Sequence, residues 1–297
     1  MNSDPKIVIS ASRRTDIPAF YMPWFMERIE SGFFEIVNPF NRNVKKVSAT
    51  PDDVHTIVFW SKDFSQFLKY SYGQKLQGAG YRLFFNFTVN TPNELLEPQV
   101  PPLDDRLDQL EQLGDQFGPQ AINWRFDPIC FFELGDGKTQ NNLSHLKCIA
   151  AKAADIGIKR CITSFMDPYR KIQKRLAHLP GFSFTDPPLK KKRQIILKME
   201  KTVAAHQIKL MLCCEKDILD ELPKNTSVTQ SACIDNDLLK TLFGGNLSLH
   251  RDSGQRIQKG CGCKVSVDIG VYHQHPCYHN CLFCYANPTQ KSSKKCI

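Results

Sequence analysis

Residues 55–89 read HTIVFWSKDFSQFLKYSYGQKLQGAGYRLFFNFTV, and the fold is decided there. An apolar, β-rich run, His55–Trp60, opens the stretch, and a second, Tyr81–Val89, closes it. Between them Lys62–Tyr70 has the apolar spacing of a short helix. A strand, a helix and a further strand make a βαβ unit, whose two strands run parallel. The same alternation continues in both directions. Upstream, Lys6–Ser10 reads as a strand and Phe20–Ser31 as an amphipathic helix. Downstream, the runs Ala121–Phe126, Ile158–Phe165 and Ile208–Cys213 alternate with Leu103–Phe117, Asn142–Ile156 and Lys192–His206. Leu103, Leu107, Leu110 and Leu113 fall on one helical face. The expected class is therefore α/β: a parallel (β/α) barrel, complete or partial, of the TIM type. Residues 1–212 form its body, and a cysteine-rich region, 213–297, completes the same domain. Asp217–Leu222 and Asp235–Phe243 read as short helices there, while Leu179–Leu189, with Pro180, Gly181, Pro187 and Pro188, reads as an inserted loop.

The chain has 297 residues, 41% hydrophobic and 23% charged, which suits one barrel with a sizeable core. No window approaches the roughly 18 apolar residues of a membrane span, and the opening residues do not read as an export signal. The expectation is a cytoplasmic protein with no membrane partner. Lys and Arg number 39 against 30 Asp and Glu, and the resulting +9 favours an anionic partner. The clusters Lys190–Arg193 and Lys291, Lys294, Lys295 read as solvated surface.

Each expected strand ends in polar residues. The first runs into Ser12, Arg13, Arg14, Thr15 and Asp16; the second into Ser61 and Lys62; the fourth into Arg125, Phe126 and Asp127; the sixth into Cys214 and Glu215. Barrel enzymes build their sites from such ends, which converge on one rim. Helix capping explains Asp16 or Asp167, but it does not explain Arg13, Arg14 and Arg125, because cations are disfavoured at the positive end of a helix. Arg13, Arg14 and Arg125 are candidates for binding an anion or carboxylate, and Asp16, Asp127 and Glu215 for binding amine or ribose groups or relaying protons.

Twelve cysteines are unevenly spread: Cys130, Cys148 and Cys161 precede residue 213 and read as buried core thiols, whereas nine lie from Cys213 onward. In a reducing compartment such clustering points to metal or redox chemistry. Cys277, Cys281 and Cys284 have C-x3-C-x2-C spacing, which suits three irons of a [4Fe–4S] cube and leaves the fourth open. A zinc site of three cysteines and one of His273, His275 or His279 is the competing reading. Upstream, Cys214, Cys233, Cys261 and Cys263 are candidates for a second, closed site holding zinc or another iron–sulfur cluster.

The segment Cys277–Cys284, continued by Tyr285-Ala286-Asn287, resembles the cluster loop of radical S-adenosylmethionine enzymes, especially the spore photoproduct lyase-like form. Over nearly its full length the chain also resembles an uncharacterised family known as a domain of unknown function. The stretch Ser10–Pro18, Arg125–Pro128 and Asp268-Ile269-Gly270 carry that second likeness. The first resemblance implies a [4Fe–4S] cluster that chelates S-adenosylmethionine and cleaves it reductively to a radical that abstracts hydrogen from a substrate. It also implies an electron donor such as flavodoxin or ferredoxin. The substrate class expected is a small molecule or nucleotide, anionic in keeping with the charge. The different-class alternative is a non-catalytic zinc or iron–sulfur protein contacting nucleic acid through its basic surface. Radical S-adenosylmethionine enzymes usually place the motif after the first strand. Here Lys264–Ile269 reads as a late strand that, paired beside the first, brings the loop to the same rim.

Overall fold

The computed structural model describes residues 4–37, 43–135 and 137–286. Eight strands form its main sheet: β1 (Ile7–Ala11), β2 (Val54–Ser61), β3 (Leu83–Thr88), β4 (Ile122–Arg125), β5 (Arg160–Thr163), β6 (Lys209–Leu212), β7 (Thr229–Gln230) and β8 (Val267–Asp268). They lie in the order β7-β6-β5-β4-β3-β2-β1-β8, and every neighbouring pair is parallel. Strands that are covered on both faces read as unbroken apolar runs, which is why these were visible in the sequence. Phe59 and Phe85 are fully buried, as are Phe64 and Phe67 from the connection that follows β2. Helix Leu103–Phe117 starts with Asp104 and Asp105 in its first turn and buries Leu110 and Leu113.

What the structure shows is a mixed α/β fold on a large parallel sheet. Among the described residues, no continuous ladder closes the sheet into the TIM-type barrel expected from the sequence. Past the short edge strands β7 and β8, Gly262 N donates to Ser231 O (3.2 Å) and Lys264 N to Ile234 O (3.0 Å). These two bonds join the segment after β7 to the segment before β8.

Three local expectations need correction. The single helix Phe20–Ser31 is two helices, Ile17–Phe20 and Met22–Glu30, because Pro18 and Pro23 each sit in a first turn, where a missing N–H costs nothing. The loop Leu179–Leu189 contains a strand, Ser183–Thr185, which pairs antiparallel with Phe131–Glu133. Cys130 and Cys161 are buried as expected, but Cys148 is exposed. It lies on helix Leu146–Ile156 away from the face that buries Ile149, Ala150 and Ala153, and its thiol donates to His145 O (3.1 Å). Asn287, Lys291, Lys294, Lys295 and Cys296 lie outside the described residues.

The late strand pairs beside the first: Ile9 is opposite Val267, and Ser10 opposite Asp268. Asp268 then ties the two ends of the chain together. Its carboxylate accepts from Ser10 Oγ (3.0 Å), Ser12 Oγ (2.6 Å), Arg13 N (2.8 Å) and Gly270 N (3.1 Å). Close approach explains Gly270, since a Cβ there would stand 2.2 Å from Ser12 Oγ. Gly270→Ala should therefore push Ser12 off Asp268 and cost about 1–3 kcal/mol in urea unfolding. Unchanged stability would mean that this junction yields freely.

Candidate functional site

The ends of β1, β2, β4, β5 and β6, with the C-terminal segment, enclose a cavity of ≈ 330 Å³. Arg13, Asp16, Arg125 and Asp127 line it, as the strand ends suggested. So do Cys277, Cys281 and Cys284 on one side and Cys214, Cys233, Cys261 and Cys263 on another. Cys213, which is not one of the four upstream candidates named from the sequence, lines it too. Arg14 and Glu215 are not among its lining residues. Arg14 turns away, donating to Gly270 O (3.0 Å) and lying over the Tyr272 ring. Glu215 accepts from Phe165 N (2.7 Å), and burial pushes its carboxyl up to about 7.

The five upstream thiols form a ring. Cys213 Sγ lies 3.8 Å from Cys214 Sγ and 3.5 Å from Cys233 Sγ. Cys261 and Cys263 pack with these three and complete it. Cys263 receives hydrogen bonds from Cys233 and Cys261 and faces the Arg13 cation, so its thiol is held well below the ordinary range. At Cys214 a hydrogen bond from Cys213 pulls down, but the bond to Cys261 and burial prevail and leave it at about 12. Arg125 donates from Nη1 to Cys233 Sγ (2.7 Å) and pairs with Asp127 through Nη2. Its guanidinium also lies 5.2 Å from the centre of the Trp60 ring, and that of Arg13 lies 5.6 Å from it. Trp60, the last residue of the apolar run His55–Trp60, thus lines the cavity beside two cations. Opposite, Arg256 pairs with Asp167, which is lowered against its partial burial by that cation and Lys259.

The three-cysteine loop is held from several directions. Asp16 caps helix Ile17–Phe20 through Ala19 N (3.1 Å), accepts from Ser61 Oγ (2.6 Å) and Lys62 N (2.9 Å), and pairs with His279 Nε2 (2.8 Å). The other nitrogen of His279 faces Gln99 O at 3.1 Å. Both acceptors are oxygens without a hydrogen, so both ring nitrogens carry one. Burial opposes that charge, but the bond to Asp16 and its negative charge outweigh it and raise the His279 pKa. Neither nitrogen is left for a metal. His275 accepts from Val271 N (3.2 Å) and packs against Trp24. Among the described residues, no three His, Cys, Asp or Glu side chains surround one point closely enough to hold a single ion.

Two supports went unread in the sequence. Arg175, on helix Arg170–Leu176, donates to the carbonyls of Cys281 (3.1 Å), Leu282 (2.7 Å) and Cys284 (2.7 Å). Lys62 forms a buried pair with Glu97 (2.5 Å) and lies over the Phe283 ring. Lys62 was visible as a strand-end residue; nothing local marks Arg175, whose partners lie more than a hundred residues away. Arg175→Met removes all three donors, and a charge-assisted hydrogen bond contributes about 1.5–3 kcal/mol. The expected result is faster proteolysis of the loop in limited digestion, with a smaller loss of global stability. Equal proteolysis of both proteins would show that the loop holds itself.

The model of the family described as Domain of unknown function (DUF1848) matches residues 8–286. The chain belongs to the DUF1848 family. A comparison with curated proteins found no match. The match takes in the whole cavity of this DUF1848 chain, from Ser12 to Ala286. None of its described helices is long and apolar enough to cross a membrane.

Proposed function

We propose that this protein is an iron–sulfur enzyme of the radical S-adenosylmethionine type, with Cys277, Cys281 and Cys284 holding the [4Fe–4S] cluster. One observation carries the reading: those three thiols open on the cavity that the strand-end cations also line. The donor set fits the group. It is all sulfur, which suits iron–sulfur chemistry, and His279, the histidine inside the motif, is committed to Asp16 and Gln99. When bound, such a cluster supplies the electron for reductive cleavage of S-adenosylmethionine.

The remaining work falls to the chain itself. Arg13 and Arg125 offer positive charge to a carboxylate or phosphate entering the cavity. Asp127 is held by Arg125, by Asn90 Oδ1 on its backbone N–H (2.8 Å) and by Ser164 Oγ, so an amine or hydroxyl meets an oriented anion. Trp60 presents an apolar surface whose edge is fixed by Nε1 donation to Ser10 Oγ (3.1 Å). The five-thiol ring supplies a second sulfur site, for zinc or another cluster. Its 3.5 and 3.8 Å contacts are close to the edge of about 3.8 Å that Zn–S bonds of ~2.3 Å give a tetrahedron. Because the thiols are strung in a ring, side-chain rotation must accompany loading.

Electron paramagnetic resonance of the anaerobically reconstituted, reduced protein tests the proposal. The account expects a cluster signal whose shape changes on adding S-adenosylmethionine. A signal indifferent to it, or colourless protein carrying stoichiometric zinc after oxygen-free, iron-replete expression, would favour the non-catalytic alternative.

A further inference from the structure

The outer side of the cysteine loop carries a patch that the cavity chemistry does not use. Helix Arg170–Leu176 reads RKIQKRL, and residues 168–185 contain no Asp or Glu. Arg170, Lys171 and Lys174 are exposed. Beside the helix, residues 269–286 also lack any acidic residue, and Tyr272, which does not line the cavity, is 38% exposed. Lys171 Nζ lies 5.5 Å from the centre of the Tyr272 ring, with Arg14 on the same ring at 5.9 Å. At the cavity edge Tyr285 packs on Tyr169, which directly precedes the helix, so loop and helix adjoin. Helix and loop therefore present one basic, tyrosine-bearing face. The same helix grips the loop, since Arg175 bonds the carbonyls of Cys281 and Cys284.

We propose that this face is the docking surface for an acidic one-electron carrier protein, a reading that rests on the cluster proposed above. Exposed aromatics among cations are what protein partners use as anchors. The patch is also small. Three exposed cations on a two-turn helix fall short of the run of phosphate contacts that tight nucleic-acid binding needs, whereas transient redox encounters use limited interfaces. A carrier seated here touches the segment whose main chain holds Cys281 and Cys284, and opposite charge steers its approach.

The test is stopped-flow reduction of the reconstituted protein by a reduced flavodoxin, compared with reduction by dithionite. The double variant Lys171→Glu, Lys174→Glu changes two exposed residues outside the cavity. Wild-type reduction by flavodoxin should slow as salt rises. At low salt the variant should be slower by about tenfold or more, with its dithionite rate unchanged. Equal flavodoxin rates in the two proteins would overturn the docking surface while leaving the cluster in place. A variant that instead loses only affinity for a single-stranded oligonucleotide would assign the face to nucleic acid and overturn it as well. Protein that takes up no reducible cluster fails at the dithionite step, which overturns the reading beneath it and the docking proposal together.

Discussion

Asp16→Ala should lower unfolding stability by about 3–5 kcal/mol, the usual cost of removing one partner from a buried ion pair. Three groups lose their acceptor at once, Ala19 N, Lys62 N and the doubly protonated ring of His279, while Ser61 Oγ keeps only Asp63 O. The imidazolium is then a buried charge without a counterion, only 2% exposed. It must give up a proton or leave, and Cys277 and Cys281 move with it because they flank it in sequence. Chemical denaturation under anaerobic, reducing conditions measures the stability. Iron uptake by the folded protein measures the loop. Asp16→Asn separates the two contributions, because an amide can still accept from Ala19 N but carries no charge for His279. The account expects Asn to fall between wild type and Ala. A loss under 1 kcal/mol for Asp16→Ala would mean that the loop does not depend on this residue.

Arg125→Met should be comparably severe, again about 3–5 kcal/mol. The guanidinium serves three neighbours: Asp127 by an ion pair, Cys233 by a hydrogen bond, and Trp60 by contact with its ring. Methionine keeps part of the packing and none of the charge, which strands Asp127 between Asn90 and Ser164. Arg125→Lys should recover only part of the loss, since an ammonium cannot direct two fixed donors to Asp127 and Cys233 at once. Comparing urea midpoints of the three proteins decides the point. A lysine variant matching wild type would show that charge alone matters at this position.

Much of this arrangement could be read along the chain, for identifiable reasons. The parallel strands are buried on both sides, so β2 and β3 stand out as apolar runs whatever their partners. The late strand was legible because Lys264–Ile269 alternates, and the segment that follows its pairing with β1 carries Cys277, Cys281 and Cys284 to the cavity that Arg125 lines. The antiparallel additions were hidden. Phe33–Val37 and Val44–Ser48 form a hairpin with polar Glu35, Lys45 and Lys46 inside it, and Phe131–Glu133 finds Ser183–Thr185 some fifty residues on. Three-residue strands leave too little periodicity to detect. At the site, spacing marks the cysteines but not their neighbours. Cys213 and Cys214 are adjacent in sequence, yet both reach the ring because Cys214 has a positive φ of 60°, outside the strand geometry that sends adjacent side chains to opposite faces. Arg175 and Glu97 act through contacts made only after folding, and no short pattern announces them.

The most direct measurement of the central claim is iron and acid-labile sulfide content after anaerobic reconstitution, in wild type and in Cys281→Ser. The serine variant is expected to lose about four irons and four sulfides per chain relative to wild type, the content of one cube. Metal at the five-thiol ring should persist in both proteins. Equal iron and sulfide in the two, or none in either, would contradict it.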